Sequence, residues 1–239
     1  MDGASSSRVS AVETQIRQGI FESRYLPGAP LRELTLARDL NVSQATIREA
    51  LQRLEHSGLV TRKANLGSTV TRLSPKDIRE RVELRALLEV KAALEASPRM
   101  SDAEFTELER RLETLDDAVA RDRYYESAQA DLEFHRYVWQ CSGNDVLCRH
   151  LELLTVPLFA FISILRSQGL ERLMSVVEAH QPLITALRSQ DEGLIRETFQ
   201  RAATSAYGSF VEDSSSRAVV SALGLLEASV GKEDKTARE

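Results

Sequence analysis

Apolar side chains recur at spacings of three and four along most of this chain, which predicts amphipathic helices joined by short turns. Over residues 8–24, Val12, Ile16 and Ile20 form one stripe, closed by Pro27-Gly28. A second, short helix is expected over 31–40, carrying Leu34, Leu36, Ala37 and Leu40, with Asn41 suited to the left-handed turn that follows. Ser43 is a good N-cap for a third helix, in which Ile47, Leu51 and Leu54 bury one face and Gly58 closes the end. Two extended stretches come next, 59–63 and 68–72, and Asn65 and Gly67 between them suit a tight hairpin.

The pattern changes at Ser74-Pro75. Ser74 can cap, Pro75 fits a first helical position, and Asp77 faces the positive end of the helix dipole. A helix should therefore run from here to about Ser97, stopped by Pro98. Ser101 and Glu104 form a capping box for the next one, with Phe105, Leu108, Leu112 and Leu115 on its stripe. Similar stretches follow at 125–141, 144–165, 170–189 and 191–210, and a further helix is expected from about Ser214 before a frayed end at 231–239. No strand-like alternation is found after residue 73. The fold class expected is mainly α: a winged helix-turn-helix over residues 1–73, then an all-α antiparallel bundle of six or seven helices over 74–239.

Charge sharpens this division. Of the 239 residues, 31 are Lys or Arg and 36 Asp or Glu, but residues 1–73 carry a net +3 and residues 74–239 a net −8. Only the head suits a polyanion. No window approaches about 18 consecutive apolar residues, and no apolar run follows a basic start, so a cytoplasmic chain without a membrane span is expected. Cys141 and Cys148 are too sparse for a disulfide framework and wrongly spaced for a Cys-x-x-Cys site, so both are read as buried thiols.

Two groups of polar residues stand where they carry chemistry. At the exposed start of the third helix are Gln44, Ala45, Thr46 and Arg48, types that pair with adenine edges, thymine methyls, phosphates and guanine edges. In the body, Asp131 and His135 share a helical face with Ala128, Val138 and Trp139, and His180 lies in line with Leu183, Ile184 and Leu187. Inward-facing carboxylate and imidazole groups are costly unless paired or metal-bound. An Asp and a His at i, i+4 can reach one ion, and a His from a second helix completes three ligands.

The run PGAPLRELTLARDLNVSQATIREALQRLEHSGLVTRKANLGSTV resembles the winged helix-turn-helix of GntR-type bacterial transcription regulators, over about 60 residues. It departs from the common Arg-Thr-Pro after the capping Ser, having Gln44-Ala45-Thr46 instead, so the bases read should differ from those of relatives. The resemblance implies DNA contact for Arg38, Ser43, Gln44, Ala45, Thr46 and Arg48, and on the wing for Arg62, Lys63, Asn65 and Gly67. The body is similar to the FCD effector-binding domain of the FadR-like branch, through ELRALLE (83–89), DLEFH (131–135) and EAHQPLITALRSQD (178–191).

Metal-containing members of that branch imply Asp131, His135 and His180 as ligands of a divalent ion such as Zn²⁺, but the fourth position falls on Ala202, which cannot bind metal. Three readings stay open: a three-ligand metal site, a metal-free pocket where these groups hydrogen-bond the effector, and a structural polar cluster. His150 is a conceivable substitute ligand. Arg85 is either a clamp for an effector carboxylate or a salt-bridge partner of Glu89. The function implied is a ligand-responsive regulator, not an enzyme. It would bind a near-palindromic operator in double-stranded DNA as a homodimer, with affinity set by a small organic or sugar acid. The alternatives are a metalloenzyme using Asp131, His135 and His180, and a ligand-independent DNA-binding dimer.

Overall fold

A computed structural model of the chain describes residues 2–63, 67–167, 176–205 and 207. Helix α1 (Asp2–Phe21) places Val9, Val12, Ile16 and Ile20 on its buried side. It ends earlier than the apolar stripe suggested, because Ser23 takes a left-handed turn (φ 63°). Helix α2 (Glu33–Asp39) is followed by Asn41 in the expected left-handed conformation (φ 51°), and α3 (Gln44–His56) starts on Ser43, whose Oγ accepts the Thr46 amide at 3.1 Å. Ile47, Ala50, Leu51 and Leu54 on α3 are fully buried.

The wing has one strand more than expected. Pro30–Leu31 forms β1 rather than the first turn of α2, and with β2 (Val60–Lys63) and β3 (Gly67–Val70) it makes an antiparallel sheet in the order β1-β3-β2. Pairing Leu31 with Ser68 turns Leu31 inward against the α3 core. Pro30 has no N–H to donate, and an edge position tolerates that.

The body follows the expected order. Helix α4 (Pro75–Ala96) opens on a capping box, in which the Ser74 amide donates to Asp77 Oδ2 at 2.9 Å and Ser74 Oγ accepts the Asp77 amide at 3.1 Å. A single 3₁₀ turn at Ser97–Arg99 leads to α5 (Asp102–Ala120), capped by Ser101 and Glu104. Then come α6 (Tyr124–Cys141), α7 (Asp145–Ser167), α8 (Val176–Ser189) and α9 (Glu192–Ser205). Six α-helices thus make up the body among the described residues. The helix expected from Ser214 and the frayed end at 231–239 lie outside them.

Helix α4 packs on α6, α7 and α9, while α5 lies against α6 and α8. Helix α7 is long and apolar enough to cross a membrane, but 67% of its most apolar stretch is buried inside the fold. It serves as the central core helix. Cys141 and Cys148 are free and half-buried, less enclosed than the sequence suggested.

Head and body share one hydrophobic cluster. Val9, Ile16, Phe21, Leu51 and Leu54 join Leu132, Trp139, Leu151, Phe159 and Ala160 without a break. Ser163 Oγ on α7 donates to the Phe21 carbonyl at 3.2 Å, and Phe21 meets Tyr125 edge to face at 5.8 Å. Gly58 lies at this seam with φ +74°, where an added Cβ would sit 3.1 Å from both the Leu153 carbonyl oxygen and Pro157 Cγ. Gly58→Ala should therefore cost at least about 1 to 2 kcal/mol, from the left-handed backbone alone. Urea unfolding measures this, and an unchanged midpoint would show that alanine meets no left-handed strain at position 58.

Candidate functional site

Two sites emerge, one on the head and one inside the body. On the head, the N-terminal turn of α3 stands free of the core, and its polar side chains converge on one carboxylate from α2. Arg48 donates to Glu33 through Nε (3.3 Å) and Nη2 (2.9 Å), and Gln44 Nε2 donates to the same group at 2.9 Å. Arg62 Nη2 on β2 comes within 3.9 Å of Glu33. The hydrogen bond from Arg48 is the main reason that the Glu33 carboxyl sits below its ordinary range.

The other head residues of interest are less tied. Thr46 Oγ1 shares a hydrogen bond with Ser43 Oγ at 2.8 Å, Ala45 is exposed, and Arg38 is 79% exposed beside Asp39. Gly67 begins β3 at φ +80° with open space around it. Lys63 ends β2, its side chain outside the described set, and Asn65 lies outside the described residues.

In the body, the 3.6-residue repeat of α6 sets Asp131 and His135 one turn apart, and α8 brings His180 to them. Asp131 Oδ1 lies 3.0 Å from His180 Nε2 and 3.5 Å from His135 Nε2. One ligand atom from each residue falls within 4.8 Å of the others. His135 and His180 are buried with their rings 5.5 Å apart, and Phe134 beside them meets both edge to face, at 5.6 and 4.9 Å. Burial alone would raise the Asp131 carboxyl, yet the neighbouring His180 and His135 hold it down to about 2.

A carboxylate that the sequence reading assigned only to Arg85 completes the arrangement. Glu89, 1% exposed, bonds Arg85 Nε through Oε1 (3.0 Å) and faces His135 Nδ1 through Oε2 (3.3 Å). A carboxylate on Nδ1 fixes the proton there and leaves Nε2 as the free lone pair, turned toward Asp131 and His180. Burial would raise the Glu89 carboxyl, but its contacts with His135 and Arg85 draw it down to about 2. Arg85 is itself buried and stacked 5.0 Å above the Phe159 ring.

Arg85, Asp131, His135, Phe159 and His180 line a cavity of about 320 Å³ between α4, α6, α7, α8 and α9, with Glu89 behind them. Ala202 lines it, as the apolar stripe of α9 implied, and so do Thr198, Arg166, Arg201, Glu178 and Tyr207. Arg166 Nε is buried with no hydrogen-bond partner among the described residues, and burial pushes the Tyr207 hydroxyl up to about 12. The sequence offered one signal for Arg166, a lone cation after the apolar run 158–165, and none for Tyr207. His150 does not join the cavity. It is exposed on α7 with Nδ1 on the Val146 carbonyl, so its turn faces away from Asp131 and it does not substitute for the missing ligand.

Both halves match known families. The model of bacterial regulatory proteins of the gntR family matches residues 8–70, and that of the FCD domain matches residues 80–204, over half of the chain. This chain belongs to the GntR family and carries an FCD domain. The GntR-FCD chain is 29% identical over 198 residues to a probable D-xylose utilization operon transcriptional repressor of Paenarthrobacter nicotinovorans, covering 80% of this chain and 86% of that one. It is 25% identical over 178 residues to the transcriptional repressor RspR of Escherichia coli K12, covering 74% and 77%. The solved structure of E. coli McbR/YncC has the same fold, with a TM-score of 0.71 over 85% of this chain and 96% of that one, at 22% identity. The relatives and families are transcription regulators rather than enzymes, and the protein is a DNA-binding transcription regulator.

Proposed function

We propose that this GntR-FCD regulator acts as a homodimer whose two α3 helices enter successive major grooves of a near-palindromic operator. DNA affinity would be set by a small carboxylate-bearing acid in the α4–α9 cavity. The head, residues 1–73, reads DNA, and the body, residues 74–239, binds effector and dimerises. Such a regulator works where the DNA is, in the cytoplasm. The observation that carries this reading is the continuous core from cavity to head: Phe159 meets His135 at 5.9 Å and belongs to the same cluster as α1 and α3. Packed interiors shift between discrete arrangements, so an effector that favours one arrangement of the cavity can bias the spacing of the heads.

On the DNA side, Arg48 is read as the principal base contact, with Gln44, Ala45 and Thr46 beside it. Ser43 and Arg38 would face the backbone, and Arg62, Lys63, Asn65 and Gly67 would act from the wing. Arg48→Ala should weaken operator binding by about 1 to 3 kcal/mol at fixed salt. Fluorescence anisotropy measures it, and equal affinity would remove this docking.

On the effector side, the donor set fits a divalent ion. Two imidazole Nε2 atoms and a carboxylate oxygen converge, and Glu89 supports the nearer ring from behind. Asp131, His135 and His180 would hold the ion, which when bound would supply a Lewis-acidic centre for effector oxygens. Arg166, with its unpartnered buried Nε, is better placed than Arg85 to meet an effector carboxylate, because Glu89 already occupies Arg85. A small acid is favoured because Arg85, Arg166 and Arg201 line the cavity, and because 320 Å³ suits only a compact ligand.

A further inference from the structure

An acidic side chain in the middle of a DNA-reading face needs a reason, since it repels phosphate. Glu33 opens α2, is only partly enclosed, and accepts hydrogen bonds from Arg48 and Gln44, the two side chains on α3 with the most to say to a base edge. A guanidinium has two pairing edges. Glu33 occupies the Nε/Nη2 edge of Arg48 and leaves the Nη1/Nη2 edge free, the edge that can meet O6 and N7 of guanine. Gln44 likewise gives Glu33 one N–H and keeps its Oε1 and second N–H, the pair that matches adenine N6 and N7.

We propose that Glu33 is a positioning residue for base reading, which holds Arg48 and Gln44 toward the groove and keeps them off the phosphates. The inference rests on α3 being the recognition helix. Arg48 is 55% exposed and would otherwise sample many rotamers. Ordering it before contact lowers the entropy lost on binding a base. The nearby negative charge also makes phosphate the poorer partner. Without Glu33, the Arg48 guanidinium is released to the backbone, where any sequence satisfies it.

The experiment uses full-length wild type, Glu33→Ala, Glu33→Gln and Arg48→Ala, each checked for an unaltered melting transition. Each protein selects duplexes from a random library. Affinity for the wild-type consensus and for a scrambled duplex is then measured over a salt series. Both Glu33 variants should lose base preference at the positions lost by Arg48→Ala. Their ratio of specific to non-specific affinity should fall about tenfold or more, and their salt dependence should steepen by about one phosphate contact. Glu33 variants that select the wild-type consensus with an unchanged ratio overturn the proposal. So does equal weakening on both duplexes with an unchanged salt slope, the mark of a merely structural role. Loss of a base pair that Arg48→Ala and a parallel Gln44→Ala variant both retain would make Glu33 a direct reader and also overturns it. If Arg48→Ala itself keeps every preference, the assignment of α3 fails, and Glu33's role with it.

Discussion

Glu89→Ala is expected to destabilise the protein by about 3 to 5 kcal/mol, the usual result of leaving a buried charge without its partner. Arg85 is 3% exposed and its Nε donates to Glu89, so removing the carboxylate strands the guanidinium inside the bundle. His135 would lose the acceptor on Nδ1 as well, freeing the ring to change tautomer. Glu89→Gln retains the shape and one acceptor and should cost less. The pH dependence has a definite sign. The folded carboxyl lies near 2 against an ordinary 4.5, so its contribution is present above about 4.5 and fades as pH falls toward 2. Chemical unfolding should therefore show the gap between wild type and Glu89→Gln narrowing through that window. A constant gap would mean that Glu89 is not an ionised partner of Arg85.

The second large effect concerns the three donors. Asp131→Asn combined with His180→Ala should reduce a divalent ion from about one per chain to nearly none, and should remove stabilisation by organic acids. Two lost ligands leave His135 alone, and one imidazole does not hold Zn²⁺ at micromolar levels against water. Elemental analysis of protein dialysed against zinc without chelator measures the first effect, and thermal melting with an acid panel the second. A wild-type content near zero would favour the metal-free pocket. Retained acid binding by the double variant would move the effector elsewhere.

Much of this arrangement was legible in the chain because it is written in local periodicity and caps. Ser43, Ser74 and Ser101 each announced a helix start, because a hydroxyl that can satisfy an amide two or three residues on is a short-range signal. Asp131, His135 and His180 were found because polar residues on an apolar stripe conflict with burial. What depends on tertiary pairing was not legible. Two residues, Pro30 and Leu31, form a strand only because β3 lies beside them, and no alternation exists in so short a run. Glu33 has no helical neighbour to betray its partners, since Arg48 and Gln44 reach it from another helix across the turn. Glu89 reads as an i+4 salt-bridge partner of Arg85. Its second contact, to His135 on α6, exists only once the bundle is assembled.

The account stands on coupling between the cavity and the reading head, and one titration addresses it. Operator affinity of the full-length protein is measured with zinc present, with and without each small acid that raises the protein's melting temperature. At least one such acid should shift affinity by about 5- to 150-fold, and the Asp131→Asn, His180→Ala variant should bind the same duplex with no shift. Acids that stabilise the bundle while leaving DNA affinity untouched would contradict it.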